Sequence, residues 1–141
     1  MAAAHRSCFF YGTLIDPDVR AAVLGRLGDR APAIPDTLAG WQAVGVRGRV
    51  YPVIVPASSE SVTGIRVTFA AAAARRAMDR LVAFEGAEYS LRTVRLVSGE
   101  DAFVFTGSAV CRPDGRPWSF ADWRRRHKRG FLAGMRPGRP V

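Results

Sequence analysis

A chain of 141 residues is one domain's worth of protein, long enough to bury about two-thirds of the surface its unfolded form exposes. Hydrophobic residues at 48% and charged residues at 23% exclude disorder over most of the length. The net charge of +9 is concentrated at one end: residues 1–111 carry 12 Lys and Arg against 10 Asp and Glu, residues 112–141 carry 9 against 2.

Twenty of the 21 basic residues are Arg and Ala is abundant, as GC-rich coding produces, so the basic tail is read first as a solvated face. A contact of that tail with nucleic acid or an acidic surface is the alternative. Phe69 to Ala74 is an apolar run far too short for a bilayer, and Arg75 and Arg76 end it. Met1 to Cys8 lacks the apolar stretch of a signal peptide. Cys8 and Cys111 sit in apolar runs without metal-site spacing, which favours free thiols over a disulfide. A cytoplasmic protein with no membrane partner is expected.

In chain order, Ser7 to Tyr11 is a short aromatic run ending at Gly12, and predicts a buried strand. Asp16-Pro17 opens a helix, with Asp16 as N-cap and Pro17 in the first turn, where its missing N–H costs nothing. That helix should stop at Gly25 or Gly28, leaving 29–35 as loop. Thr37 to Val46 and Val50 to Val55 predict strands, with Pro52 and Pro56 pointing to an edge. Val62 to Phe69 alternates as a strand with two different faces, Ala70 to Phe84 reads as a helix, and Tyr89 to Val97 and Ala102 to Thr106 as a strand pair. Ser119 with Asp122, and Trp118 with Trp123, mark the start of a C-terminal helix ending near Gly130, and 136–141 should fray. One domain over 1–141 follows, with a core over about 7–111 and a helical extension over about 117–132. The element order has too few βα alternations for a doubly wound sheet. It predicts an α+β fold, a small mostly antiparallel β-barrel with peripheral helices.

The helix over 70–84 carries the most informative anomaly. Ala74, Met78, Leu81 and Val82 form its apolar stripe, with Arg75, Arg76, Asp79 and Arg80 on the solvated face. One further residue of helix places Glu85 about 20° from Ala74, inside the stripe. Gly86 is a natural helix-ending residue, so Glu85 also meets the negative end of the helix dipole. Burial and dipole both push a carboxyl upward, which suits a general base near neutral pH. The competing reading ends the helix at Phe84 and turns Glu85 to water or to an Arg. Glu88, beyond Gly86, reads as a loop surface residue.

Tyr11-Gly12-Thr13-Leu14 joins the first strand to the helix capped by Asp16, a turn able to aim several backbone N–H groups at one point. Such a loop suits a carboxylate or phosphate, though a Gly after a buried strand is most often only a turn. No phosphate-binding loop, dinucleotide fingerprint or metal cluster is present, and neither His5 nor His127 sits in a catalytic setting.

Together Phe10-Tyr11-Gly12-Thr13-Leu14, Tyr51-Pro52-Val53-Ile54-Val55-Pro56, Gly64 in its strand, and Leu81 to Tyr89 (LVAFEGAEY) resemble the γ-glutamylcyclotransferase-like, or AIG2-like, family. Trp118 to Leu132 looks like the tail of its plant-type branch. The resemblance implies a compact barrel and an acyltransferase-type enzyme that needs no cofactor and binds no metal. Its substrate would be a small γ-glutamyl amine or peptide, bound by the Tyr11, Gly12, Thr13 and Leu14 backbone. Glu85 would be the general base, freeing the α-amine to attack its own γ-carbonyl and release 5-oxoproline. The family often has a basic residue two positions after the Tyr of its Glu-Gly-x-x-Tyr stretch; here that position is Leu91, and Arg92 follows on the other strand face. The alternative from a different class is a non-enzymatic barrel that binds a small carboxylate, or a nucleic acid or acidic protein through the tail.

Overall fold

A computed structural model describes residues 6–135. Its elements are β1 (Ser7–Phe10), α1 (Pro17–Leu24), β2 (Ala33–Val46), β3 (Pro52–Thr68), α2 (Ala71–Glu85), β4 (Tyr89–Arg95), β5 (Asp101–Gly107), β6 (Pro113–Pro117), α3 (Phe120–Arg126) and α4 (Lys128–Ala133), with single 3-10 turns before and after α1. The strands form one sheet in the order β4-β5-β1-β3-β2-β6. Only β1 and β5 run parallel, with Cys8 opposite Phe103; every other pair is antiparallel. The sheet curls into a half-barrel with the helices outside, the mostly antiparallel α+β architecture expected.

β1 lies at the centre because both its faces are apolar. Successive side chains of a strand point opposite ways, so Phe9 joins Leu38, Ile54, Val62 and Val104 in the hollow of the curl. Cys8 and Phe10 point outward under Val19 and Leu24 of α1, Ala77 and Leu81 of α2, and Trp123 of α3. Cys8 donates its thiol hydrogen to the Met78 thioether at 3.3 Å, and it and Cys111 are both free and buried.

Several boundaries moved for physical reasons. β2 begins at Ala33, inside the expected loop, with Pro35 opposite Ile65. The two strands expected over 50–55 and 62–69 are one long β3. Its register against β2 slips where Ala39 faces Ser61 and Trp41 faces Pro56. β1 covers β3 only at residues 65–68, so Pro52 and Pro56 occupy a stretch with a single ladder partner, where a missing N–H is harmless. Gly64 is a steric necessity: a Cβ there would stand 2.1 Å from the Phe10 carbonyl oxygen. β6 departs from the sequence pattern, in which Pro-Asp-Gly-Arg-Pro favours a turn; it is a strand by virtue of pairing with Val44 and Val46.

The C-terminal helix is two helices that meet at His127. Ser119 caps α3, accepting from the Asp122 N–H at 3.1 Å. Trp123 is 1% exposed, and Trp118 and Phe120 pack beside it. Lys128 corrects the expectation of a solvated residue: its ammonium lies 2.9 Å from Asp16 and 2.8 Å from Asp18. The expected fraying of 136–141 falls outside the described residues, as does His5.

Candidate functional site

A pocket of about 290 Å³ lies between the C-terminal end of α2, the turn after β1 and α4. Glu85, Tyr11, Gly12, Thr13 and Leu14 all line it. Sequence reasoning isolates these five residues from two segments more than seventy positions apart, and the fold brings them to one cavity.

Glu85 is the last residue of α2, and Gly86 ends the helix with a φ of 74°, in the left-handed region that favours glycine. The stripe that carries it is shifted from the expected one. Ala74, Ala77 and Leu81 are buried, whereas Val82 is 51% exposed. The burial centre therefore lies between Ala77 and Ala74, and Glu85, half-buried, falls within its flank. Among the described residues no hydrogen bond or ion pair holds its carboxylate. Loss of hydration without a counter-charge pushes this carboxyl from 4.5 up to about 8.

The neighbours register that carboxylate. Burial, followed by the charge of Glu85, raises the Cys8 thiol to about 12 and drives the Tyr11 phenol well above its ordinary value. Tyr89 is raised likewise, by burial first and then by Tyr11 and Glu85. Both phenols are structural donors: Tyr11 Oη donates to the Phe105 carbonyl at 2.6 Å, and Tyr89 Oη donates to the Pro52 carbonyl. These bonds pin the strand ends that frame the cavity.

On the opposite wall, Gly12 leads into the 3-10 turn Thr13–Ile15. The Ile15 N–H donates to Gly12 and the Asp16 N–H to Thr13, each at 3.1 Å. The first N–H groups of such a turn have no partner within it, so Thr13 and Leu14 are left to donate elsewhere. Asp16, 1% exposed, stabilises the turn's far end: its Oδ1 accepts from the Asp18 N–H at 2.9 Å and from the Val19 N–H at 3.3 Å.

Two further residues of the pocket escape a reading of the sequence. Glu88, expected on the surface, lines the cavity and accepts from Tyr51 Oη and, at 3.3 Å, from Arg49 Nε. Phe131 of α4 lines it too. Both depend on contacts distant in sequence, and no local pattern marks them. Leu91 and Arg92 do not line the pocket: Leu91 is 42% exposed, and the Arg92 guanidinium lies over the Trp41 ring at 5.4 Å. His127 is exposed. Among the described residues there is no His, Cys, Asp and Glu group able to hold a metal, and no helix long and apolar enough to cross a membrane.

A curled α+β half-barrel in which Glu85 and the turn after β1 line one pocket defines a class that comparison with known proteins makes specific. The sequence pattern described as gamma-glutamyl cyclotransferase, AIG2-like, matches residues 8–125. AIG2-like protein D of Arabidopsis thaliana is 33% identical over 133 residues, covering 89% of this chain and 84% of that one. AIG2-like protein A of the same plant is 35% identical over 131 residues, covering 88% and 75%. A solution structure of an Arabidopsis thaliana protein superposes with a TM-score of 0.63 at 30% identity, covering 96% of this chain and 95% of that one. A solved gamma-glutamyl cyclotransferase has the same fold at 9% identity, with a TM-score of 0.57 and coverage of 96% and 89%. The chain belongs to the gamma-glutamyl cyclotransferase, AIG2-like family.

Proposed function

We propose that this protein is a γ-glutamylcyclotransferase that releases 5-oxoproline from a γ-glutamyl amine or peptide, with Glu85 as general base. The observation that carries the reading is the Glu85 carboxyl, raised to about 8 and lining one pocket with the Tyr11 to Leu14 turn. The substrate's glutamyl head carries an α-carboxylate and an α-ammonium, and these two walls complement them: N–H donors for the anion, Glu85 for the cation.

The incoming ammonium favours the ionised form of Glu85. Glu85 then takes one ammonium proton, and the freed amine attacks the γ-carbonyl carbon to close a five-membered ring. As the ring closes the attacking nitrogen sheds a second proton, the departing nitrogen takes up both that proton and the one held by Glu85, and the original C–N bond breaks. 5-oxoproline and the amine, as its ammonium, leave, and Glu85 is again ionised. A base near 8 is matched to this work, since an α-ammonium titrates at about 8 or somewhat above, whereas an ordinary carboxyl is far too weak a base. Ring closure is intramolecular, so holding the head in a folded conformation contributes much of the rate. Every proton in the cycle is carried by Glu85 or the substrate.

The test is 5-oxoproline release from a panel of γ-glutamyl amides by wild type and Glu85→Gln. Turnover should fall by ~10²–10⁴ in the variant, with its melting transition retained. In the wild type kcat/KM should rise with pH as Glu85 ionises towards about 8 and fall again at higher pH as the substrate's α-ammonium is lost. Undiminished turnover in the folded variant removes Glu85 from the role. Binding of the panel with no 5-oxoproline from the wild type leaves a barrel that binds small carboxylates.

A further inference from the structure

The C-terminal arm reaches the pocket as well as covering the outer core. Phe131 stands edge-on to Phe84, the residue before Glu85, with ring centroids 6.3 Å apart and planes at 81°. It is also edge-on to the buried Trp123, at 5.5 Å and 77°. Both arrangements are favoured aromatic geometries. The ring is thus wedged between a fixed anchor and the helix turn that bears Glu85, and it lines the cavity.

A six-residue helix has little stability of its own, so something must hold α4 in place. Lys128 does so: it bridges Asp16 and Asp18 at the start of α1, immediately after the Tyr11–Leu14 turn. Asp16 is fully buried, and a buried carboxylate binds its cation in a defined place. Residues three apart share a helix face. Lys128 and Phe131 therefore put the latch and the pocket wall on one side of one turn.

The glutamyl head is a small zwitterion whose charges Glu85 and the turn N–H groups answer. The lining also holds Phe84, Ala87 and Phe131, with Tyr51 and Glu88, and among the described residues no Lys, Arg or His lines the pocket. That part of the cavity is suited to an apolar, planar body.

We propose that Phe131 is the specificity-determining residue for the leaving group, selecting γ-glutamyl amides whose amine carries an aromatic or bulky apolar body. Lys128 is the positioning residue that sets the wall. The assignment rests on the γ-glutamyl reading for the head group and adds the class of amine released.

The experiment is calorimetric titration of γ-glutamyl phenethylamide and γ-glutamyl methylamide into Glu85→Gln protein, where turnover does not interfere. With Phe131 present the aromatic amide should bind about tenfold more tightly, the scale of one good aromatic contact with its buried area. Adding Phe131→Ala should bring the ratio of the two affinities to within about twofold, and Phe131→Leu should leave it intermediate. Lys128→Met should lower the ratio in a protein that still melts cooperatively, and Lys128→Arg should restore it. A ratio unchanged by Phe131→Ala, an equal loss for both ligands, or no binding of either overturns the proposal. The parallel turnover assay separates it from the reading beneath it. A Phe131-dependent ratio without 5-oxoproline from the wild type sinks the cyclotransferase and leaves the wall. 5-oxoproline release with a Phe131-independent ratio sinks the wall and leaves the cyclotransferase.

Discussion

Replacing Glu85 by Gln should make the folded protein more stable at alkaline pH, by an amount its environment sets. Loss of hydration raises this carboxyl from 4.5 to about 8 in the folded state. Between those values the native protein keeps a proton that the unfolded chain releases. The folded state binds more protons, so stability falls as pH climbs through the window and levels off above about 8. Each tenfold change in proton affinity corresponds to about 1.4 kcal/mol, so the full loss approaches ~4–5 kcal/mol, against a total of ~5–15 for a small domain. Water reaching the half-buried residue through the pocket trims that figure. Gln has the same shape and no charge to bury. Urea unfolding of both proteins at pH 5 and pH 9 reads the effect. The two should differ by less than about 1 kcal/mol at pH 5, and the variant should lead by about 2–4 kcal/mol at pH 9. Cys8, Tyr11 and Tyr89 feel the charge of Glu85 but stay protonated in both folded proteins at pH 9, and the groups that do not feel it are common to both chains, so these contributions cancel in the difference. Parallel pH dependence of the two proteins would refute a desolvated, unpaired Glu85, and with it the physical basis for a base near neutrality.

Gly64→Ala places a methyl group 2.1 Å from the Phe10 carbonyl, and the backbone shift should cost ~1–3 kcal/mol or more by denaturant unfolding; a loss under about 0.5 kcal/mol would show that β1 and β3 do not approach so closely. Trp123→Ala empties the outer core where the ring is 1% exposed, and should cost ~3–5 kcal/mol; a surface-sized effect, with fast hydrogen exchange over 119–130, would mean that α3 is not docked. Burial opposes ionisation of Asp16, but Lys128 and the Asp18 and Val19 N–H groups outweigh it and hold the carboxyl below 3.8. Its contribution is therefore complete above about pH 4 and lost as pH falls further. Asp16→Asn should destabilise by ~1–3 kcal/mol at pH 7, with the gap closing in acid; a gap independent of pH would remove the ion pair from the account.

The sequence by itself determined the features that follow from local periodicity and local steric demand. The apolar stripe of α2 needs only a 3.6-residue repeat, and that repeat gives the direction of Glu85, even though in the fold Val82 lies outside the buried stripe and Ala77 within it. Asp16-Pro17, Ser119 and Gly86 act through backbone groups within four residues, so their capping roles were legible. The run of apolar residues along β1 likewise announced a strand covered on both faces. What only the tertiary structure decided depends on partners distant in the chain. Glu88 became a pocket residue because β3 begins at Pro52, beside Tyr51, whose phenol donates to it across 37 positions. Lys128 became a buried-carboxylate partner because α4 folds back onto α1, although its basic neighbours Arg124 to Arg126 are solvated as composition suggested. β6 exists because β2 offers it an edge, since its own residues favour a turn. Phe131, with nothing polar or periodic to mark it, reached the cavity through Phe84, a contact distant in the chain that no local window of sequence contains, with Trp123 behind it.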